Sequence, residues 1–302
     1  MRASRVRLAR VSHRRMTLSI RKVAVLGAGT MGHGIAQVCA QAGCEVALRD
    51  VAESALAKGI AGVQKSLDRL VEKGKLDAAE RTRVLAAITP TTQLADAVRD
   101  ADVVIEAIPE RIEWKLETFR EIDASAPPHA LLGTNTSSLS VTEIAGAVRD
   151  PSRVVGLHFF NPVPVMELVE IVRGIRTSEE ALEGARALVT KLGKKPIVVR
   201  DFPGFATSRL GVAIGAEAIR MLEQGVASAE DIDTAMKLGY RHPMGPLELT
   251  DLVGLDVRLA ILEHLHREVG EQFRPPALLR QMVRAGKLGR KSGEGFYVYA
   301  KS

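Results

Sequence analysis

The chain has 302 residues, 46% apolar and 26% charged, which is enough to bury a sizeable core in two domains and argues against intrinsic disorder. Its formal net charge of +6 is carried by Arg2, Arg5, Arg7, Arg10, Arg14 and Arg15 alone, so the positive balance belongs to a tail and not to a binding face. With 4% aromatic residues and no basic stripe along one element, no nucleic-acid partner is expected, and no apolar run approaches the ~18 residues of a membrane span.

Residues 1–20 are Arg-rich and acid-free, and they lack the apolar core of a secretory signal. The pattern fits a mitochondrial transit peptide or an over-extended reading frame whose real start is Met16. The second is favoured, because six arginines there have no structural role, and the extension is expected to be disordered. Lys22-Val-Ala-Val-Leu26 is a short apolar run before glycines, Met31 to Ala42 reads as a helix, and Glu45-Val-Ala-Leu-Arg49 reads as a second strand. Cys39 and Cys44 have no CxxC spacing and no His at ligand distance, so they are expected as buried thiols, and no metal is expected.

Residues 52–87 carry Leu56, Ile60, Val63, Leu67, Leu70 and Val71 at three- and four-residue steps, which predicts two helices joined at Gly74. Apolar runs return at Val103-Val-Ile105, Ala130-Leu-Leu132, Val154-Val155 and Ile197-Val-Val199, with helical periodicity near 111–122 and 178–192 between some of them. The first two thirds are therefore predicted to be an α/β unit, a largely parallel, doubly wound sheet of Rossmann type. After Asp201-Phe-Pro-Gly204 the pattern is helical almost to the end. The predicted division is an extension (1–20), a dinucleotide-binding unit (21–203) and a smaller all-α unit (204–302). Ser228-Ala-Glu-Asp231 predicts a capping box, hydroxyl and carboxylate each satisfying a free backbone N–H. The apolar stripe of this helical unit predicts a homodimer.

Gly27-Ala28-Gly29-Thr30-Met31-Gly32 matches GxGxxG where a strand ends and a helix opens, the context in which the glycines admit a pyrophosphate to the backbone at a helix N-terminus. Asp50 follows Gly32 by 18 residues at the end of the second strand, where a carboxylate accepts from both ribose hydroxyls and repels a 2′-phosphate. NAD is thus favoured over NADP. His33, on the first helical turn, reads as structural.

Three segments concentrate hydride-transfer chemistry: Asn135-Thr-Ser-Ser138, His158-Phe-Phe-Asn161 and Glu167-Leu-Val-Glu170. Each follows or sits in an apolar run, which predicts a place near the carboxyl edge of the sheet. Alcohol oxidation needs a base for the hydroxyl proton, and His158 is the candidate. A carboxylate partner would stabilise its charged form and fix the ring; Glu167 and Glu170 both qualify by spacing.

Six motifs in order, Gly27–Gly32, Asn135–Ser138, Gly156-Leu-His-Phe-Phe-Asn-Pro162, Asp201-Phe-Pro-Gly-Phe205, Pro243-Met-Gly-Pro246 and Gly293-Glu-Gly-Phe-Tyr297, resemble the L-3-hydroxyacyl-CoA dehydrogenases over residues 21–300. The resemblance implies His158 as general base paired with Glu170, and Ser137 beside the nicotinamide and hydrogen-bonded to the substrate's 3-oxygen. It implies Glu110, Lys115, Asn161 and Lys291 against NAD, and Ser66 and Lys73 against the CoA moiety of an acyl-CoA thioester, short-chain 3-hydroxybutyryl-CoA being the expected substrate. One position departs: the family usually carries Asn where this chain has Ser208, a shorter side chain with no amide donor. A bacterial cytoplasmic enzyme is implied, or a mitochondrial matrix one if the extension is a transit peptide. Two other readings are a Rossmann dehydrogenase of a free hydroxy acid or sugar acid, for which Lys73 would be dispensable, and a non-catalytic NAD-binding relative, which would lack part of the Ser137, His158, Glu170 set.

Overall fold

The computed structural model describes residues 20–300, so the expectations about the Arg-rich extension, its disorder, its transit-peptide reading and the Met16 start lie outside the described residues. The chain runs β1 (Lys22–Leu26), α1 (Thr30–Gln41), β2 (Glu45–Arg49), α2 (Glu53–Glu72), α3 (Ala78–Ala86), β3 (Ile88–Thr91), α4 (Leu94–Val98), β4 (Val103–Glu106), α5 (Ile112–Ser125), β5 (Leu131–Thr134) and α6 (Val141–Ala145). It continues with β6 (Val154–Phe159), β7 (Leu168–Arg173), α7 (Glu179–Lys191), β8 (Lys195–Arg200), α8 (Thr207–Glu223), α9 (Ala229–Thr234), α10 (Pro246–Val253), α11 (Leu255–Glu268) and α12 (Ala277–Arg284).

The eight strands form one sheet in the order β3-β2-β1-β4-β5-β6-β7-β8, the doubly wound arrangement predicted from the alternating runs. Alternate residues of β1 serve opposite faces: Val23 and Val25 pack into one core with Ile35 and Val63, while Ala24 and Leu26 pack into the other with Val104 and Phe119. This is why the strand is an unbroken apolar run.

Neighbouring strands are parallel except β6 and β7, which pair antiparallel with His158 opposite Glu170. Only residues 160–167 connect them, too short a link for the crossover that a parallel return requires. The antiparallel return therefore brings the first residues of β7 to the sheet edge where β6 ends. Two strands are not predicted as such from the sequence: β3 is a short edge strand containing Pro90, and β7 carries Glu170 in its middle.

Cys39 and Cys44 are buried, as expected, at the end of α1, where the Cys44 N–H donates to the Cys39 carbonyl at 3.1 Å around Gly43 (φ 79°). The helical unit has its own core around Val212, Leu247, Leu262 and Leu279. Two buried aspartates organise it. Asp233 accepts from the Leu247 and Glu248 amides at the start of α10, and Asp251 accepts from the Phe296 and Tyr297 amides and the Tyr299 hydroxyl. A Cβ on Gly245 would lie 2.1 Å from Asp233 Cγ, and one on Gly295 would lie 2.1 Å from Asp251 Oδ1. The Pro243–Pro246 and Gly293–Tyr297 motifs are thus carboxylate seats. The capping box differs from expectation: Ser228 Oγ caps the Asp231 amide at 3.1 Å, but the Asp231 carboxylate accepts the Ser228 hydroxyl at 2.8 Å and not a backbone N–H. Among the described residues no helix is long and apolar enough to cross a membrane, and no cluster of three metal-ligating side chains occurs.

Candidate active site

The three glycines of the loop differ in what a side chain there would meet. Gly27 has φ 102° and a Cβ there would lie 2.6 Å from the Ala107 carbonyl oxygen, while a Cβ on Gly32 would lie 1.7 Å from the Gly27 oxygen. A Cβ on Gly29 would meet nothing within 4 Å, so open space lies above the start of α1. No side chain caps that helix, which leaves its first amides, at Thr30, Met31 and Gly32, facing the opening. Asp50 Oδ2 accepts the Ala28 N–H at 2.7 Å. Gly29, Met31, Arg49, Asp50, Trp114 and Glu121 line part of a cavity of about 720 Å³ beside the loop. An open glycine, uncapped helical amides and an anchored acid at the end of β2 fit the pyrophosphate and adenosine ribose of NAD. Arg49 lines the same cavity and donates from Nε to the Thr92 carbonyl at 3.3 Å.

From the ends of β4 and β5 comes a polar network. Glu106, fully buried, accepts from Lys115 Nζ at 2.6 Å and Thr134 Oγ1 at 2.7 Å. Lys115 is buried as well and lies 3.4 Å from Glu110, so it bears on the site through carboxylates and not by an exposed ammonium. Glu110 Oε1 accepts from Thr136 Oγ1 at 2.6 Å, from the Ser137 amide at 2.9 Å and from the Ser138 amide at 3.1 Å. Burial pushes its carboxyl upward, but Lys115 and these donors outweigh that and hold it below the usual carboxylate range. Glu110 therefore ties down the exposed Ser137 loop.

His158 and Glu170 meet through the antiparallel step. Nδ1 of His158 lies 2.7 Å from Glu170 Oε2, with the ring between Phe160 and Phe205 at centroid distances of 4.5 and 5.8 Å. An ionised carboxylate only accepts, so Nδ1 carries a proton, and it is Nε2 that would hold the lone pair in the neutral ring. Of the two candidate acids, Glu170 makes this pair, and Glu167 is exposed before β7. Glu170 accepts further from the Ala206 and Thr207 amides at 3.3 and 2.9 Å and from Thr207 Oγ1 at 3.0 Å. Burial pushes its carboxyl upward; hydrogen bonds from His158 and Thr207 outweigh that and leave it lowered.

The remaining predicted residues are more scattered. Asn161 is exposed just beyond β6. Ser208 is half-buried on the first turn of α8 and has no hydrogen-bond partner among the described residues, whereas its neighbour Thr207, which the sequence reading passed over, grips Glu170. Ser66 and Lys73, seven residues apart, share one face of α2, Ser66 half-buried and Lys73 exposed at its end. Lys291 is in the helical unit, where Asp256 Oδ1 and Oδ2 hold Nζ at 2.5 and 2.6 Å. His33 is structural in contact, its Nδ1 2.8 Å from the Gly29 carbonyl and its ring against Gly62.

Two family models match the chain. The family model for the NAD-binding domain of 3-hydroxyacyl-CoA dehydrogenase matches residues 22–202, and that for the C-terminal domain of 3-hydroxyacyl-CoA dehydrogenase matches residues 204–299. A probable 3-hydroxybutyryl-CoA dehydrogenase of Bacillus subtilis is 48% identical over 283 residues, covering 93% of this chain and 98% of the relative. A 3-hydroxybutyryl-CoA dehydrogenase of Bradyrhizobium diazoefficiens is 45% identical over 285 residues, covering 94% and 97%. Among solved structures, (S)-3-hydroxybutyryl-CoA dehydrogenase from Ralstonia eutropha superposes with a TM-score of 0.91 at 46% identity, covering 94% of this chain and all of that one.

Proposed function

The chain belongs to the 3-hydroxyacyl-CoA dehydrogenase family, an NAD-dependent oxidoreductase family, and on that premise we propose that it interconverts short-chain L-3-hydroxyacyl-CoA and 3-ketoacyl-CoA with His158 as general base. The observation that carries the reading is the 2.7 Å His158–Glu170 bond, because it orients one imidazole nitrogen toward an acid and frees the other for a substrate proton. NAD, when bound, supplies the hydride acceptor for the carbon that carries the hydroxyl.

The chain's own residues do the rest. Nε2 of His158 takes the hydroxyl proton as the alcohol is oxidised and returns it in the reverse direction. Glu170 stabilises the imidazolium that forms and holds the ring plane. Ser137, on the loop tied down by Glu110, donates a hydrogen bond to the substrate's 3-oxygen, where negative charge develops. The Thr30, Met31 and Gly32 amides and Asp50 hold the cofactor's pyrophosphate and ribose, with Asn161 and Lys291 as further contacts. Ser66 and Lys73 bind the CoA moiety, Lys73 as a cation for phosphate.

We take residues 21–203 as the cofactor unit and 204–302 as the unit that closes the cleft and dimerises. The bacterial relatives support a cytoplasmic enzyme.

The test is NADH formation from L-3-hydroxybutyryl-CoA and NADH consumption with acetoacetyl-CoA, set beside free acetoacetate. Activity on the thioesters and a raised thioester KM in Lys73→Ala are the expected results. Silence on every thioester would sink the reading.

A further inference from the structure

Among the described residues, every donor to the Glu170 carboxylate other than His158 comes from one short stretch, residues 206–207, at the start of α8. His158 and Glu170 belong to the sheet, while Thr207 belongs to the helical unit that follows it. The stretch is delivered by a left-handed turn, with φ 77° at Gly204 and 47° at Phe205. A phenylalanine in that region is strained, and such a conformation persists only where the surroundings over-determine it. Here they do: Phe205 is buried and its ring lies against the imidazole of His158. One turn therefore grips both members of the pair, the ring through Phe205 and the carboxylate through Thr207.

We infer that Thr207 is a positioning residue for the reaction, its hydroxyl fixing the plane of the Glu170 carboxylate so that Oε2 points along Nδ1–H of His158. The inference rests on the reading of His158 as base. Oε2 receives two donors, His158 Nδ1 at 2.7 Å and Thr207 Oγ1 at 3.0 Å, while Oε1 receives only backbone amides. The amides restrain Oε1, and the carboxylate can still turn about the line they define. The hydroxyl removes that freedom on the oxygen that the imidazole uses. A base loses rate when its ring wanders, because proton transfer needs the near-attack arrangement, whereas substrate affinity is set elsewhere in the cleft. Ser208, the next residue, lacks any bond to Glu170 and does not share this role.

The experiment compares Thr207→Val, which keeps the shape and removes the donor, with Thr207→Ser, which keeps the donor and removes the methyl. Expected in Thr207→Val is a kcat about tenfold lower, the rate equivalent of a lost charge-assisted hydrogen bond, with both KM values within about twofold of the parent. Thr207→Ser should restore kcat to within about threefold of the parent. Parental kcat in Thr207→Val, or equal losses in both variants, overturns the inference. If the valine variant does not fold, Thr207→Ala removes the same hydroxyl, and parental kcat there overturns it equally. Glu170→Gln in the same assay separates the two levels of argument. Parental kcat in Glu170→Gln removes the base-and-carboxylate reading itself, while loss there with no loss in Thr207→Val removes only the role of Thr207.

Discussion

His158 and Glu170 face each other as Cα partners in the antiparallel pairing of β6 and β7, and a 2.7 Å bond joins their side chains. Two predictions follow from this relationship. Replacing the base with His158→Gln should lower kcat by about 10²- to 10⁴-fold, the usual contribution of a positioned general base, while thioester and NAD affinities change little. A fall in affinity with kcat preserved would mean that the ring serves binding. The second concerns acid. Glu170 is lowered in the folded protein, so it contributes stability that is fully present above the ordinary glutamate range near about pH 4.3 and is lost as pH falls through its folded value. The gap in melting temperature between the parent and Glu170→Gln should therefore be widest near neutrality and shrink below about pH 4. A gap that does not change with pH would show that the carboxylate's charge plays no part.

How much of this was legible in the sequence depends on how local each feature is. The glycine loop was, since three glycines, a preceding apolar strand and an acid after the next strand all act within thirty residues. The pairing of Glu170 with His158 was left open by residue spacing, because it depends on the direction of β7. The eight-residue link at 160–167 carried that information, being too short for a crossover. Thr207 gave no signal: a Thr at a helix start reads as an ordinary first-turn residue until the fold sets a carboxylate from another unit against it. Gly245 and Gly295 likewise owe their smallness to Asp233 and Asp251, which are distant in sequence.

Asp50 has one observed contact and one proposed role that substitution can separate. Its carboxylate braces the Ala28 amide, and in the proposed function its charge discriminates against a 2′-phosphate. Asp50→Asn keeps an oxygen for the amide and removes the charge, so the preference for NAD over NADP should narrow with a modest change in KM for NAD. Asp50→Ser is too short to reach in the same way and should raise KM for NAD further, by roughly tenfold. A parent enzyme that already prefers NADPH, or an Asn variant with undiminished NAD preference, contradicts this account.

Ser208 stands where the resembling family usually carries Asn, and among the described residues its hydroxyl makes no hydrogen bond. On the proposed function, that hydroxyl would serve the substrate. Ser208→Ala should lower kcat by about two- to tenfold, the range of one neutral hydrogen bond, and Ser208→Asn should be tolerated. Unchanged kinetics in the alanine variant would take Ser208 out of the site.

The helical unit presents Leu210 and Ile214 on α8 at 64% and 40% exposure, and Val257 on α11 at 41%. The proposed dimer would cover these apolar side chains. An isologous contact places the same residues on both sides, so one substitution acts twice. Ile214→Asp should therefore shift the mass measured by light scattering from twice the chain mass toward that of a single chain, with a lowered melting temperature. A parent protein that already scatters as a monomer at micromolar concentration would remove the dimer from this picture.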